Sequence, residues 1–214
     1  LGYVGLPLAI SFAEAGLTVY GIEVDQARLN LLLSGKSYVQ DISNQRLTNV
    51  TKIKGTLTVS NDYKLLEKAN AVIICVPTPL NKTKEPDLSY IVDVSKEILK
   101  YIHKGQLIIL ESTVYPGATE EIMLPILQKS NLKIGKEFFL AFSPERVDPG
   151  RTDWQLHNTP KIIGGVTASC VNHAINLYRM IVDKVIPVSS VRVSEMVKLL
   201  ENTFRAVNIG LVNE

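Results

Sequence analysis

Cysteine is nearly absent from this chain: Cys75 and Cys170 are its only two in 214 residues. A disulfide framework needs more cysteines than that, so both are read as free thiols of a cytoplasmic protein. No apolar run approaches the roughly 18 residues of a membrane span, so no membrane partner is expected. Neither sign of charge dominates. Lys and Arg number 23, Asp and Glu 21, for a net charge of +2. That balance argues against a dedicated nucleic-acid surface. No metal site is expected. Hydrophobic content of 46% and charged content of 21% fit an ordinary globular core, and the length allows one large core or two modest ones.

What is present begins at the first residue. Leu1-Gly2-Tyr3-Val4-Gly5-Leu6-Pro7 reads as the back half of a G-x-G-x-x-G turn, with the first glycine and the preceding strand cut off. A β-like run, Leu17 to Ile22, then ends at an acid, Glu23. Glycines let the backbone approach a pyrophosphate at a helix N-terminus, and the acid accepts from the adenosine ribose hydroxyls. This is a Rossmann cofactor grip, with Gly2, Tyr3, Val4, Gly5 and Glu23 as cofactor-binding candidates. A carboxylate at position 23 repels a 2′-phosphate and favours NAD over NADP. Arg28 stacks on the adenine, pairs with a 2′-phosphate, or is a solvated helix residue.

The rest of the chain alternates β and α patterns. Helical stretches are expected at 5–16, from an Asp25 cap to Leu33, at 43–50, 61–68, from an Asp87 cap to His103, at 118–129, 168–181 and from about Val193 to the end. Strand-like runs fall at 17–23, 57–59, 71–76, 106–110, 138–142 and 184–188. The expected fold is α/β, a mostly parallel sheet with helices on both faces. Polar clusters follow three strands: Pro77-Thr78-Pro79, Ser112-Thr113 and Ser143-Pro144-Glu145. Singly each reads as turn chemistry. Three of them on the side of the glycine turn mark a ligand site at the carboxyl ends of the strands.

In the last helix Lys198 and Asn202 are four apart and share a face, beside an apolar stripe of Val197, Leu200 and Phe204. They either hold a developing oxyanion together, or Lys198 is a surface residue paired with Glu195 or Glu201.

Five segments then occur in order: Gly2-Tyr3-Val4-Gly5-Leu6-Pro7, Val76-Pro77-Thr78-Pro79, Ser112 to Gly117, Ser143-Pro144-Glu145-Arg146-Val147-Asp148-Pro149-Gly150, and Lys198-Leu199-Leu200-Glu201-Asn202-Thr203. Together they resemble the nucleotide-sugar dehydrogenases, which oxidise a UDP- or GDP-sugar at C6 to a uronate. Ser37-Tyr38-Val39-Gln40-Asp41-Ile42 and Pro79 to Leu88 look most like the UDP-N-acetylglucosamine branch. The resemblance implies an NAD-binding domain over 1–190, the start of a central dimerisation helix over 191–214, and a UDP-binding domain beyond this chain. It implies two hydride transfers to two NAD through a cysteine-bound thioester, with that cysteine also downstream, so that neither Cys75 nor Cys170 matches it. It implies that Thr113 and Glu145 order water and manage protons, that Lys198 and Asn202 stabilise the oxyanion, and that Pro77, Thr78 and Thr113 contact the cofactor. The implied partners are a UDP-sugar substrate and a second copy of the chain, and the implied role is the supply of uronates for surface polysaccharides. UDP-glucose, UDP-N-acetylmannosamine and GDP-mannose dehydrogenases, or a non-catalytic NAD-binding module, are the alternatives. One departure touches the substrate: Pro149 stands where the UDP-glucose branch has a second glutamate, with Asp148 beside it.

Overall fold

The computed structural model describes residues 1–82, 86–146 and 156–213. The chain opens with helix α1 (Gly5–Glu14), strand β1 (Val19–Ile22) and helix α2 (Gln26–Ser34). Asp25 caps α2 by accepting from Arg28 N at 3.0 Å, and Gly35 ends it with φ +82°. A short helix, α3 (Asn44–Thr48), leads to β2 (Leu57–Ser60), which pairs with β1 in parallel. Their apolar residues meet α1 and α2 in one cluster built on Leu6, Ile10, Leu29, Leu32, Leu47 and Leu57.

A second sheet runs β3 (Ala71–Ile74), β4 (Gln106–Leu110), β5 (Phe138–Phe142), β6 (Lys161–Gly165) and β7 (Val185–Pro187), hydrogen-bonded in that order. β4 and β5 are buried at every position, as strands covered on both faces must be. Their side chains alternate between two cores. Ile108, Leu110, Leu140 and Phe142 pack with Ile91 and Ile98 of α4 (Ser89–Tyr101) and with Leu127 of α5 (Leu124–Leu127). Leu107, Ile109, Phe139 and Ala141 pack with Leu8 and Phe12 of α1 and with Cys170, Ala174 and Tyr178 of α6 (Ala168–Tyr178). The mostly parallel sheet with helices on both faces is therefore present, with β1 and β2 as a separate pair.

One pairing departs from parallel. β6 runs antiparallel to β5, with Phe142 opposite Gly164. Its first residue, Lys161, therefore lies toward the edge where β3, β4 and β5 end. Helix α7 (Val191–Asn213) closes the described structure. Its first turn presses on β6 at Gly164, where a Cβ would lie 2.3 Å from Ser194 Oγ and 2.5 Å from the Ser190 carbonyl.

Two expected helices take other forms. The 118–129 stretch is a π-turn over Thr119–Met123, then α5, then a 3₁₀ turn over Gln128–Ser130. Pro125 has no N–H to give to the carbonyl four residues back, so the ladder loosens ahead of it. The 61–68 stretch is a 3₁₀ helix, Tyr63–Lys68, capped by Asp62.

Candidate active site

The glycine turn enters α1 through Val4, which supplies no side-chain cap to the helix N-terminus. The positive end of the helix dipole is thus open to an anion. Gly5 lets α1 approach β3: a Cβ there would lie 3.3 Å from Cys75 Cβ, while one at Gly2 would meet nothing within 4 Å. These are the separate tasks of the two glycines, close helix–strand packing and access for a diphosphate.

Glu23 sits directly after β1 and is 5% exposed. Its Oε2 accepts from the Leu1 nitrogen at 2.7 Å and from the Tyr38 hydroxyl at 3.4 Å, and its Oε1 from Asp25 N at 2.9 Å. Burial alone would raise this carboxyl, but the Asp25 N–H and the nearby Arg28 charge oppose that rise. A carboxylate has about four acceptor positions, so a ribose hydroxyl can add to these donors. Tyr38 was not anticipated here. Its hydroxyl donates to the Leu1 carbonyl at 2.6 Å, and the Arg28 guanidinium lies 5.6 Å from its ring centre. Burial and the Glu23 charge push the phenol up to about 12. Arg28 is exposed and stacked against Tyr38, not against a carboxylate.

The loops after β3, β4 and β5 lie together. Ser112 Oγ donates to the Val76 carbonyl at 2.7 Å, joining the Pro77-Thr78 loop to the Ser112-Thr113 loop. Thr113 is exposed, Thr78 half-buried and Pro77 exposed. Two carboxylates tie α7 to these loops. Glu195, buried, accepts from Gly117 N at 2.5 Å and from Thr119 N and Oγ1 at 2.9 and 2.6 Å. Glu201 accepts from Arg146 Nε and Nη2 at 3.0 and 2.5 Å, and Arg146 also donates to the Pro160 carbonyl at 2.9 Å. Both acids named as partners in the alternative for Lys198 also hold these other groups. Lys198, three residues from each, is half-buried on the same helical side, and Asn202 is exposed one turn on.

Behind Glu145 is a buried charged cluster that the sequence reading missed. Lys161 Nζ lies 3.0 Å from Glu111 Oε1 and 3.3 Å from Glu145 Oε2. Tyr178 donates its hydroxyl to the same Glu111 oxygen. Burial raises the Glu111 carboxyl against the opposing pull of Lys161. Burial pulls Lys161 down, but the two glutamates prevail and raise it. Cys75 is pushed well up by burial and by Glu111, so its thiol stays neutral, and it matches no nucleophile. Cys170 is buried, with its Sγ accepting from Leu140 N at 3.3 Å. Asp148 and Pro149 lie outside the described residues. No group of three or more potential ligands forms a metal site among the described residues.

A glycine turn opening a helix, an acid closing the next strand and polar loops at the carboxyl edge are the arrangement of a dinucleotide-binding domain. Residues 1–182 match the model of the UDP-glucose/GDP-mannose dehydrogenase family, NAD binding domain, and the chain belongs to that family. It is 38% identical over 216 residues to UDP-N-acetyl-D-glucosamine 6-dehydrogenase of Pseudomonas aeruginosa, which covers all of this chain and 50% of that protein. It is 40% identical over 215 residues to UDP-N-acetyl-D-mannosamine dehydrogenase of Pyrococcus horikoshii, covering all of this chain and 51% of the relative. The solved structure of the Pyrococcus horikoshii UDP-D-ManNAc dehydrogenase superposes with a TM-score of 0.92 at 39% identity, again over the whole chain and 51% of that structure. The chain spans about half the length of these relatives.

Proposed function

We propose that the protein of which this chain forms a part oxidises a UDP-N-acetylhexosamine, UDP-N-acetylglucosamine in the first instance, at C6 to the uronate. The observation that carries this reading is that α7, which bears Lys198 and Asn202, is tied by Glu195 to the turn after Thr113 and by Glu201 to Arg146, the neighbour of Glu145. The glycine turn and Glu23 fit NAD, with Gly2, Tyr3, Val4 and Gly5 at the diphosphate, Glu23 at the ribose, Arg28 and Tyr38 beside the adenosine, and Pro77, Thr78 and Thr113 nearer the reacting end. NAD bound there supplies the hydride acceptor.

The remaining steps belong to side chains. Lys198 places a positive charge where oxygen becomes anionic, and Asn202 adds an uncharged donor. Glu145 takes up or delivers a proton at the reacting oxygen or at an attacking water held with Thr113. The uronate product is suited to polysaccharide assembly in the cytoplasm. Among the described residues no helix is long and apolar enough to cross a membrane.

The same proposal includes a homodimer. Past Glu201, α7 exposes Phe204, Val207, Ile209, Leu211 and Val212, all above half of their full accessibility. A second copy of the helix covers such a stripe by two-fold pairing. The sheet core with its cofactor grip would then be the domain 1–190, and 191–214 the start of the dimerisation helix.

The test is turnover of the full-length protein. Two NADH formed per UDP-N-acetylglucosamine, with UDP-N-acetylmannosamine, UDP-glucose and GDP-mannose much slower, is the expected result. Preference for another of these sugars replaces the substrate. NAD binding without turnover on any of them leaves a cofactor-binding module and overturns the activity.

A further inference from the structure

Lys161, Glu111 and Tyr178 have no part in the scheme above, yet Lys161 and Glu111 are among the most buried charges in the described structure. Lys161 is 4% exposed and Glu111 2%. Both exist at this depth because the topology brings them there. β6 runs against β5, so its first residue reaches the edge where β4 and β5 end. Glu111 directly follows β4, and Tyr178 is the last residue of α6, which returns to that edge.

A buried ammonium needs anionic partners, and removing one of them is costly. Lys161 has two, and they are not equivalent. Glu111 is fully enclosed, with its Oε1 shared between Lys161 and the Tyr178 hydroxyl, and the Tyr178 ring centre lies 5.2 Å from the ammonium. This side fixes where Nζ sits. The other side is Glu145, less deeply buried and directed to the loop edge. Its Oε1 accepts from its neighbour Arg146 N at 3.0 Å. Charged and titratable groups beside it include Arg146, which is held by Glu201, and Cys75, whose thiol burial keeps neutral.

We infer that Lys161 is a positioning residue for Glu145: clamped from behind by Glu111 and Tyr178, its ammonium fixes the direction of the Glu145 carboxylate and keeps it an anion able to accept a proton. The inference deepens the proposed function and rests on it only for the catalytic meaning of Glu145. The geometry applies whether or not the protein turns over a nucleotide sugar.

The experiment is a carboxyl ¹³C NMR titration of the full-length protein, with Glu145 assigned by its loss in Glu145→Gln. Lys161→Met removes the cation and should raise the Glu145 midpoint by about one unit or more. Lys161→Arg keeps the charge and should stay close to wild type. Because Lys161→Met leaves Glu111 alone in the interior and can prevent folding, the decisive comparison is Lys161→Met/Glu111→Gln against Glu111→Gln alone: both lack the Glu111 charge, so only the Lys161 cation differs, and the double variant should titrate higher. Equal Glu145 midpoints in these two folded variants overturn the inference. If the protein is active, the acidic limb of kcat should move with the midpoint while NAD affinity holds. Should the midpoint move while Glu145→Gln retains full turnover, the inference stands and the proposed role of Glu145 falls.

Discussion

Glu195 on α7 accepts both the backbone N–H and the hydroxyl of Thr119, at 2.9 and 2.6 Å, across 76 positions of sequence. Its second oxygen takes Gly117 N. One carboxylate thus closes the turn after Pro116 and anchors the helix that carries Lys198. Glu195→Ala leaves three buried donors unmatched and should cost about 3 kcal/mol in urea unfolding. If the full-length protein has the proposed activity, it should also lower turnover more than NAD affinity. A variant of wild-type stability would show that the pairing contributes nothing.

Lys198→Ala in the full-length protein should lower turnover by about 10² or more, with NAD affinity close to normal, because the loss falls on the transition state. Lys198→Arg should rescue poorly, since a planar fork is not a compact ammonium. Steady-state kinetics on the pair decide between an oxyanion partner and a surface lysine. Near-normal turnover in the alanine variant ends the catalytic role.

Glu23→Ala should weaken NAD binding and narrow the preference over NADP, as the ribose acceptor and the repulsion of a 2′-phosphate go together. Tyr38→Phe should have a smaller effect in the same direction, because it removes only the hydroxyl that holds the Leu1 carbonyl beside Glu23. Titration of both cofactors by fluorescence checks both, and unchanged curves for Glu23→Ala remove it from the cofactor site.

Gly164→Ala should destabilise by about 3 kcal/mol, the upper end of overpacking costs, because the added methyl meets the Ser190 carbonyl as well as Ser194. Backbone cannot rotate away as a side chain can. Thermal denaturation measures this, and a wild-type Tm would mean that α7 does not rest on β6.

The Glu14–Arg46 pair joins α1 to α3 through two hydrogen bonds of 2.8 and 2.7 Å. The Arg46 hydrogen bond lowers the Glu14 carboxyl against partial burial. A depressed acid stabilises the fold above its ordinary value of 4.5, and that contribution fades as pH falls through the lower folded value. With both groups about a third exposed, it should be small, about 0.5 kcal/mol. A double-mutant cycle at neutral pH and again in acid measures it; a coupling that persists in acid contradicts the assignment.

Much of this was legible in the chain itself. The runs at 106–110 and 138–142 are strands to the residue: their apolar residues are continuous through Leu107–Leu110 and Phe138–Phe142, and every position is buried. The glycine turn, Asp25 and Glu23 were legible because each follows from local backbone chemistry. The antiparallel strand was not, since Lys161-Ile162-Ile163 carries the same apolar signal in either direction. Lys161, Glu111 and Tyr178 were missed for a related reason. Tyr178 and Glu111 are 67 positions apart, and only the reversal of β6 shows that they share a partner. A carboxylate directly after the four apolar residues Leu107–Leu110 is the signal the sequence offers. The hold of Glu195 on Gly117 and Thr119 was not legible, because a helical pattern does not show which loop lies opposite.

The tight contact between Gly5 and Cys75 changes how chemical labelling of this protein is to be interpreted. The thiol stands against the start of the helix that receives the diphosphate, where even a methyl on the glycine would be crowded. A thiol held neutral reacts slowly, but an alkyl group that did add to Cys75 would wedge α1 away from the strand end and weaken cofactor binding from behind. Loss of activity in a thiol reagent, and protection by NAD, would then follow with no nucleophile involved. Cys75→Ser is the background on which any thiol proposed as a nucleophile is to be counted.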